Sequence, residues 1–158
     1  MTGHEPAAAL LERLDGEQIS YEVIEHGRTE TAAAEAEALG IGAEEVAKTL
    51  VLKTPEGFVR TVLPASERLD LRAAKRVLET KDVHLASEEV LAEEYPEFEL
   101  GAVPPVGGSH EDRVLIDRRL IGHDSVVIEA GTHDRSLRLK MSDLVALAKA
   151  EVADLCRE

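Results

Sequence analysis

Apolar residues follow two periods along this chain, and the switches between them mark its elements. In "EPAAALLERLDGEQ", Leu10, Leu11 and Leu14 recur at helical spacing up to Gly16, which predicts an amphipathic helix with a glycine stop. "ISYEVIEH" alternates instead, placing Ile19, Tyr21 and Val23 on one face of a strand. "TETAAAEAEALGIG" returns to a helix capped by Thr29 or Thr31 and closed at Gly40, with an alanine face suited to close packing. "KTLVLKT" and "FVRTVLPA" are β-rich and flank the turn signal "PEG", so they read as a hairpin.

Further on, "DLRAAKRVLE" is a helix with Leu71, Ala74 and Val77 or Leu78 inward, and "VHLA" is a short strand. "SEEVLAEEYPE" is a helix begun by Ser87, carrying acids in its first turn and ended by Pro96. "FELGAVPPVGGSHEDR" has an ordered start and then an irregular loop. "VLID", "SVVIEAG" and "SLRLK" supply three more strands, and Ser142 caps a final helix, "DLVALAKAEVADLCRE", with Leu144, Leu147, Ala148 and Leu155 on one face. Hairpins mixed with helices, without regular βαβ alternation, predict an α+β fold: a mixed, largely antiparallel sheet with helices around it. No repeat, low-complexity tract or linker divides the chain, so one domain over residues 1–158 is expected.

Composition narrows the chemistry. Aromatics are 3% of the 158 residues and Trp is absent, so the core is aliphatic and broad stacking on nucleic-acid bases is excluded. A formal charge of −14 repels polyphosphates at long range, so DNA is not expected as a partner and any nucleic-acid contact must be local. The lone Cys156 excludes an intramolecular disulfide and fits a reducing, cytoplasmic setting. With no signal-like start and no apolar run of membrane-spanning length, no membrane partner is expected.

Phosphate-loop, nucleophile-elbow and zinc-helix motifs are missing, and the histidines at 4, 26, 84, 110, 123 and 133 lack ligand spacing, so neither metal nor cofactor is expected. Lys48 stands at the entrance to an apolar strand, where it can present a fixed ammonium to a phosphate or carboxylate, or snorkel into water. In "GAVPPVGG", Gly101 and Gly107 permit close backbone approach while Pro104 and Pro105 hold their neighbours extended; the loop can read a small group or serve as a stiff connector. His133, just after Gly131, can donate a hydrogen bond or act as acid or base, or be an exposed turn residue. Asp117 suits a cap on "RRLIG" or the orienting of a basic group, and His26 can line a site or bridge strand and helix.

Taken in order, "EHGRTETAAAEAEALGIGAEEVAKTLVLKT", "VLPASERLDLRAAKRVL", "GAVPPVG", "VLID" and "AGTHDRSLRLKMSDL" resemble the YbaK and prolyl-tRNA synthetase editing-domain family, across roughly Ile19 to Leu147. The resemblance implies a trans-acting aminoacyl-tRNA deacylase whose partners are the acceptor end of an aminoacyl-tRNA and, in some members, a synthetase. It places Lys48 at the active cleft against the terminal adenosine. It makes Gly101, Ala102, Val103, Pro104, Pro105 and Gly107 the loop that pockets the aminoacyl group through backbone atoms, with Pro104 where many relatives carry Ser. His133, with Gly131 before it, looks like a histidine used in some branches, and Asp117 like the acid ending the corresponding strand. No protein nucleophile is offered, so water, or a cysteinyl substrate's own thiol, attacks the ester while loop amides hold the oxyanion. The contrasting expectation is a binding module that keeps the cleft without turnover.

Overall fold

The computed structural model describes residues 6–29, 31–108 and 111–157; His4 and His110 lie outside them. Helix α1 (Pro6–Gly16) leads into strand β1 (Tyr21–Glu25) and helix α2 (Ala32–Leu39). Strands β2 (Ala47–Thr54) and β3 (Gly57–Pro64) form the expected hairpin, pairing Ala47 with Pro64 through to Thr54 with Gly57. Then come α3 (Leu71–Leu78), β4 (His84–Leu85), α4 (Glu88–Glu94), β5 (Arg113–Asp117), the short α5 (Arg118–Ile121), β6 (Ser125–Glu129), β7 (Arg135–Lys140), α6 (Met141–Ala148) and β8 (Glu151–Ala153).

The fold is α+β, with its strands divided over two sheets: β4-β2-β3-β5-β8, and an antiparallel β1-β7-β6. In the larger sheet β4, β2 and β3 are antiparallel, while β5 and β8 join in parallel. The sheets meet at one parallel bridge, Val46 to Val127. Between them lies the largest apolar cluster: Val62, Val114 and Ile116 face Val126, Ile128, Leu137 and Leu139, sealed by Leu10 and Leu14 of α1 and Leu144 and Leu147 of α6. On the far face of the larger sheet, Leu52, Leu63 and Leu115 pack on Ala74 of α3 and on Leu155. Ala32 and Ala36, the alanine face of α2, close on Val46 and Val127.

Local chemistry explains most boundaries. The Thr31 hydroxyl accepts from Ala34 N at 3.0 Å and Gly40 ends α2 at φ 69°, so Thr31 is the cap, while Thr29 is engaged elsewhere. Asp70 caps α3 and Ser87 caps α4. The expected C-terminal helix is corrected: it starts at Met141, with Lys140 rather than Ser142 in the cap position, and stops at Ala148, where Lys149 turns left-handed at φ 52°. Residues 151–153 then cover the open edge of β5, and Leu155 N donates to the buried Asp117 carboxylate at 2.8 Å. An uncovered parallel edge and a buried acceptor outweigh helix propensity there. Val23 follows Tyr21 by two on β1, an edge strand of the smaller sheet, and is 43% exposed there.

One buried arginine fixes the irregular segment before β5. Arg60, 1% exposed on β3, donates from Nε to Asp112 at 2.9 Å, from Nη1 to the Pro104 carbonyl at 2.9 Å and from Nη2 to the Gly107 carbonyl at 2.7 Å. Its guanidinium lies 5.0 Å from the ring centre of Tyr95, whose hydroxyl donates to Asp112 at 2.5 Å. Arg60→Ala takes the guanidinium donors from the Pro104 and Gly107 carbonyls and leaves the Asp112 charge without its cation, and removing one member of a buried pair costs ~3–5 kcal/mol. Urea unfolding should show that loss, with Arg60→Lys losing less because it keeps the charge but not the fork.

Candidate functional site

Where β1 ends, α2 begins and the β6–β7 turn crosses them, His26, Thr29, Thr31, Glu35, Glu129, Thr132 and His133 line a small, tightly closed cleft with no room for a water molecule as it stands. Backbone bonds hold its walls: His26 N donates to Asp134 O at 3.0 Å and Thr29 N to His133 O at 2.8 Å. Thr132 is held by its hydroxyl, which donates to Asp134 at 2.8 Å.

A hydrogen-bonded chain runs behind this wall. His26 Nδ1 lies 2.6 Å from Gly27 O, which can only accept, so Nδ1 carries hydrogen. Its Nε2 lies 2.9 Å from Ser136 Oγ, and Ser136 in turn bonds to Glu35. Two arrangements satisfy the chain: an ionised Glu35 accepting from Ser136 with His26 doubly protonated, or a neutral Glu35 donating to Ser136, which donates to His26. Both place one proton on the same three residues, which is the connectivity of a proton relay.

Two carboxyls in the cleft hold their protons more tightly than an ordinary carboxyl does. Burial pushes the pKa of Glu35 up, opposed by the Ser136 hydrogen bond and by the fields of His26 and His133. Burial also pushes Glu129 well above the usual carboxylate range, and Glu35 adds to it. Part of the Glu129 residue stays open to solvent, but its carboxyl is the enclosed end. Glu99 behaves oppositely: burial acts to raise its pKa, yet the His133 amide, donating at 2.7 Å, and Arg28, at 3.0 Å, bring it below the usual range.

The expected site residues divide among three places. His26 and His133 line the cleft, while Gly101 adjoins the His133 ring and Gly131 precedes Thr132 in the cleft wall. His133, 6% exposed, places Nε2 2.5 Å from the Leu100 carbonyl, to which it donates. Gly101 has φ 80°, and a Cβ there would meet His133 Cε1 at 3.4 Å. Gly131, at φ 92°, accepts from Glu99 N at 2.8 Å. Ala102, Val103, Pro104 and Pro105 are buried; the last lines a separate hollow with Gly107, Arg13 and Arg60. Asp117 caps α5 through Arg119 N at 2.8 Å and binds the C-terminal segment.

Lys48 is the second residue of β2, half-buried. Burial lowers its pKa; among its neighbours Arg68 also lowers it, while Cys156 and Glu67 raise it. No cleft residue is among these neighbours, although the Val46–Val127 bridge sits two residues before Lys48 and Glu129 in their strands. The strand thus adjoins the cleft while the ammonium lies beside Arg68. Cys156 is buried between Asp117 and Arg119, and burial first, then Asp117, pushes its thiol up to about 12, so it is no nucleophile. Among the described residues, no three His, Cys, Asp or Glu side chains gather as metal ligands would.

Sequence reasoning missed Glu35, Glu129, Thr132 and Ser136. Two signals were present: Glu35 interrupts the buried alanine face of α2, sharing it with Ala32 and Ala36, and Glu129 follows Val127 by two, on the same face of β6. A carboxyl at an apolar register position signals either a buried pair or a site.

The α+β fold thus carries a small acidic cleft beside a histidine locked against a glycine of positive φ. The chain belongs to the aminoacyl-tRNA editing domain family, which it matches over residues 26–147. It is 26% identical over 149 residues to the prolyl-tRNA editing protein ProX of Acetoanaerobium sticklandii, covering 90% of each chain. Its structure is similar, with a TM-score of 0.89 and 28% identity, to a crystal structure described as a candidate trans-editing enzyme for prolyl-tRNA synthetase, covering 99% of this chain and 100% of that one. It is also similar to the crystal structure of a hypothetical protein, with a TM-score of 0.86 and 25% identity, covering 94% and 99%. The family is one of editing hydrolases that act on aminoacyl-tRNA. No helix among the described residues is long and apolar enough to cross a membrane.

Because Glu35 and Glu129 hold a proton more tightly folded than unfolded, their stabilising contribution is complete below the ordinary carboxyl pKa of 4.5 and is lost as pH rises through their raised folded values. Glu129→Gln should therefore unfold at higher urea than the wild type at pH 8, with a smaller difference at pH 5. An equal difference at both pH values would contradict a neutral Glu129.

Proposed function

We propose that this chain is a trans-acting aminoacyl-tRNA deacylase, working in the cytoplasm as one domain, that hydrolyses the ester of a small amino acid such as alanine, cysteine or serine on tRNA for proline. The observation that carries the reading is the contact of Gly101 with His133 at the mouth of a cleft holding Glu35 and Glu129. An aminoacyl ester bears a cationic ammonium and a short side chain. Two carboxyls and three threonines offer polar partners to such a group once the side chains part to admit it. Glu129, drawn toward ionisation by an incoming ammonium, takes the charge.

Water then attacks the ester carbonyl; its proton passes to the His26–Ser136–Glu35 chain and returns to the ribose oxygen as the acyl bond breaks. In a cysteinyl ester the substrate thiol can attack instead. Of the loop amides, that of Ala102 already donates to Glu99 O at 3.0 Å, and Pro104 and Pro105 have none. The Gly101 amide, at the cleft, is the donor we assign to the oxyanion. Ala102 and Val103 shape the wall behind it, while Gly107 and Pro104 hold the loop through Arg60. Lys48 steadies a phosphate of the acceptor end rather than attacking, and Asp117 keeps that corner in place.

Release of amino acid from alanyl-, cysteinyl- and seryl-tRNA carrying a proline acceptor tests this directly. The wild type should cleave at least one, and Lys48→Ala should lose turnover without unfolding. A folded protein that cleaves none of the three while binding an aminoacyl-adenosine amide would be a binding module instead. Gly101→Ala, which pushes a methyl toward the His133 ring from a strained backbone, should lower kcat about 100-fold, the scale of a small misplacement at the reacting centre.

A further inference from the structure

The protein carries a formal charge of −14, yet its cations are not evenly neutralised. Arg28, Arg60, Arg113 and Arg118 each rest on a carboxylate. Arg68, Arg72, Lys75, Arg76 and Arg157 form no ion pair among the described residues, and they share one region. Residues 68–76 hold four cations and a single acid, Asp70, whose carboxylate is used as the cap of α3. Arg72, Lys75 and Arg76 stand at i, i+3 and i+4, so they share the outward face of α3, while Ala73 and Ala74 are buried beneath. The antiparallel bridge from Leu69 to Cys156, with Arg157 N donating to Arg68 O at 2.8 Å, brings Arg157 alongside. Arg68 is also an electrostatic neighbour of Lys48.

We infer that Lys48, Arg68, Arg72, Lys75, Arg76 and Arg157 form a cationic track that binds the RNA phosphate backbone of the acceptor stem. The inference rests on the deacylase reading for the identity of the RNA, and on the unpaired cations for the surface. In a chain with 32 acids against 18 lysines and arginines, such a cluster gives a polyanion a local attraction that orients docking before any base is read. Helix α3, eight residues and ~12 Å long, spans about three nucleotides at 3.4 Å each. It exposes no large apolar side chain, as a membrane-seeking helix would.

The test measures fluorescence anisotropy of a labelled, uncharged acceptor-stem RNA hairpin titrated with protein at several salt concentrations. Arg72→Glu with Arg76→Glu should weaken binding about tenfold or more and flatten the slope of log K against log salt by about 2, close to 0.9 per lost contact. Lys53→Glu, on an exposed residue at the hairpin tip, should leave both unchanged. The neutral pair Arg72→Ser with Arg76→Ser gives the same direction if charge reversal perturbs folding. Equal losses from Lys53→Glu, unchanged binding by both double variants, or binding of anionic vesicles in place of the hairpin would overturn the track. Uncharged RNA needs no turnover, so a protein that binds through the track but cleaves no ester faults the deacylase reading alone. One that cleaves its ester with affinity indifferent to Arg72 and Arg76 faults the track alone.

Discussion

Arg60 is the contact on which the site depends. Among the described residues from Pro96 to Gly108 there is no strand or helix to satisfy the backbone, and residues 102–107 are buried, so their carbonyls need partners from outside. A guanidinium supplies them from one planar group: two donors to the Pro104 and Gly107 carbonyls and a third to Asp112, with Tyr95 against its face. Because β3 is a central strand, the loop inherits the rigidity of the larger sheet. Gly101 at its start is thereby held against His133, in the turn that joins β6 and β7 of the other sheet. A buried ion pair contributes little net stability; here its value lies in specifying one loop conformation.

Elements were legible where local signals agreed. The β2–β3 hairpin, the Thr31 and Gly40 limits of α2 and the Ser87 start of α4 follow from turn and capping chemistry within a few residues. The division into two sheets was not legible, because strand partners are set by long-range packing; β7 alternates well but nothing in its sequence says that β1 rather than β5 is its neighbour. The final segment misled for a related reason. Val152 and Leu155 keep a helical spacing, yet β8 forms because β5 offers an unpaired edge that no local pattern reveals.

The candidate site shows the same split. Gly101 and His133 were visible as a glycine in a stiff loop and an imidazole after a turn, each readable from residue type alone. Their being in contact was not visible, nor was the chain from His26 through Ser136 to Glu35, which joins residues 26, 136 and 35 across three elements. Lys48 drew notice as a charge at the mouth of an apolar strand. Its side chain belongs with Arg68 and Cys156, on the face that also receives α3, while its backbone adjoins the cleft. On the two proposals, that strand would join the cleft on one side to a cationic surface on the other.

Size selection by the cleft alone is weak, since a hydrophobic pocket separates ligands differing by one methylene by only ~1–3 kcal/mol. On the proposed reading, much of the affinity of a short aminoacyl group would come instead from its ammonium, which every amino acid shares, so Glu129 would strengthen binding without distinguishing side chains. Discrimination would then fall to the Thr29, Thr31 and Thr132 hydroxyls, the His133 ring and which RNA is presented. Presentation is a matter of backbone contact at a distance from the ester. A protein that repels polyanions over most of its surface restricts that contact to few orientations, so its acidity and its local cations act together as a positional filter.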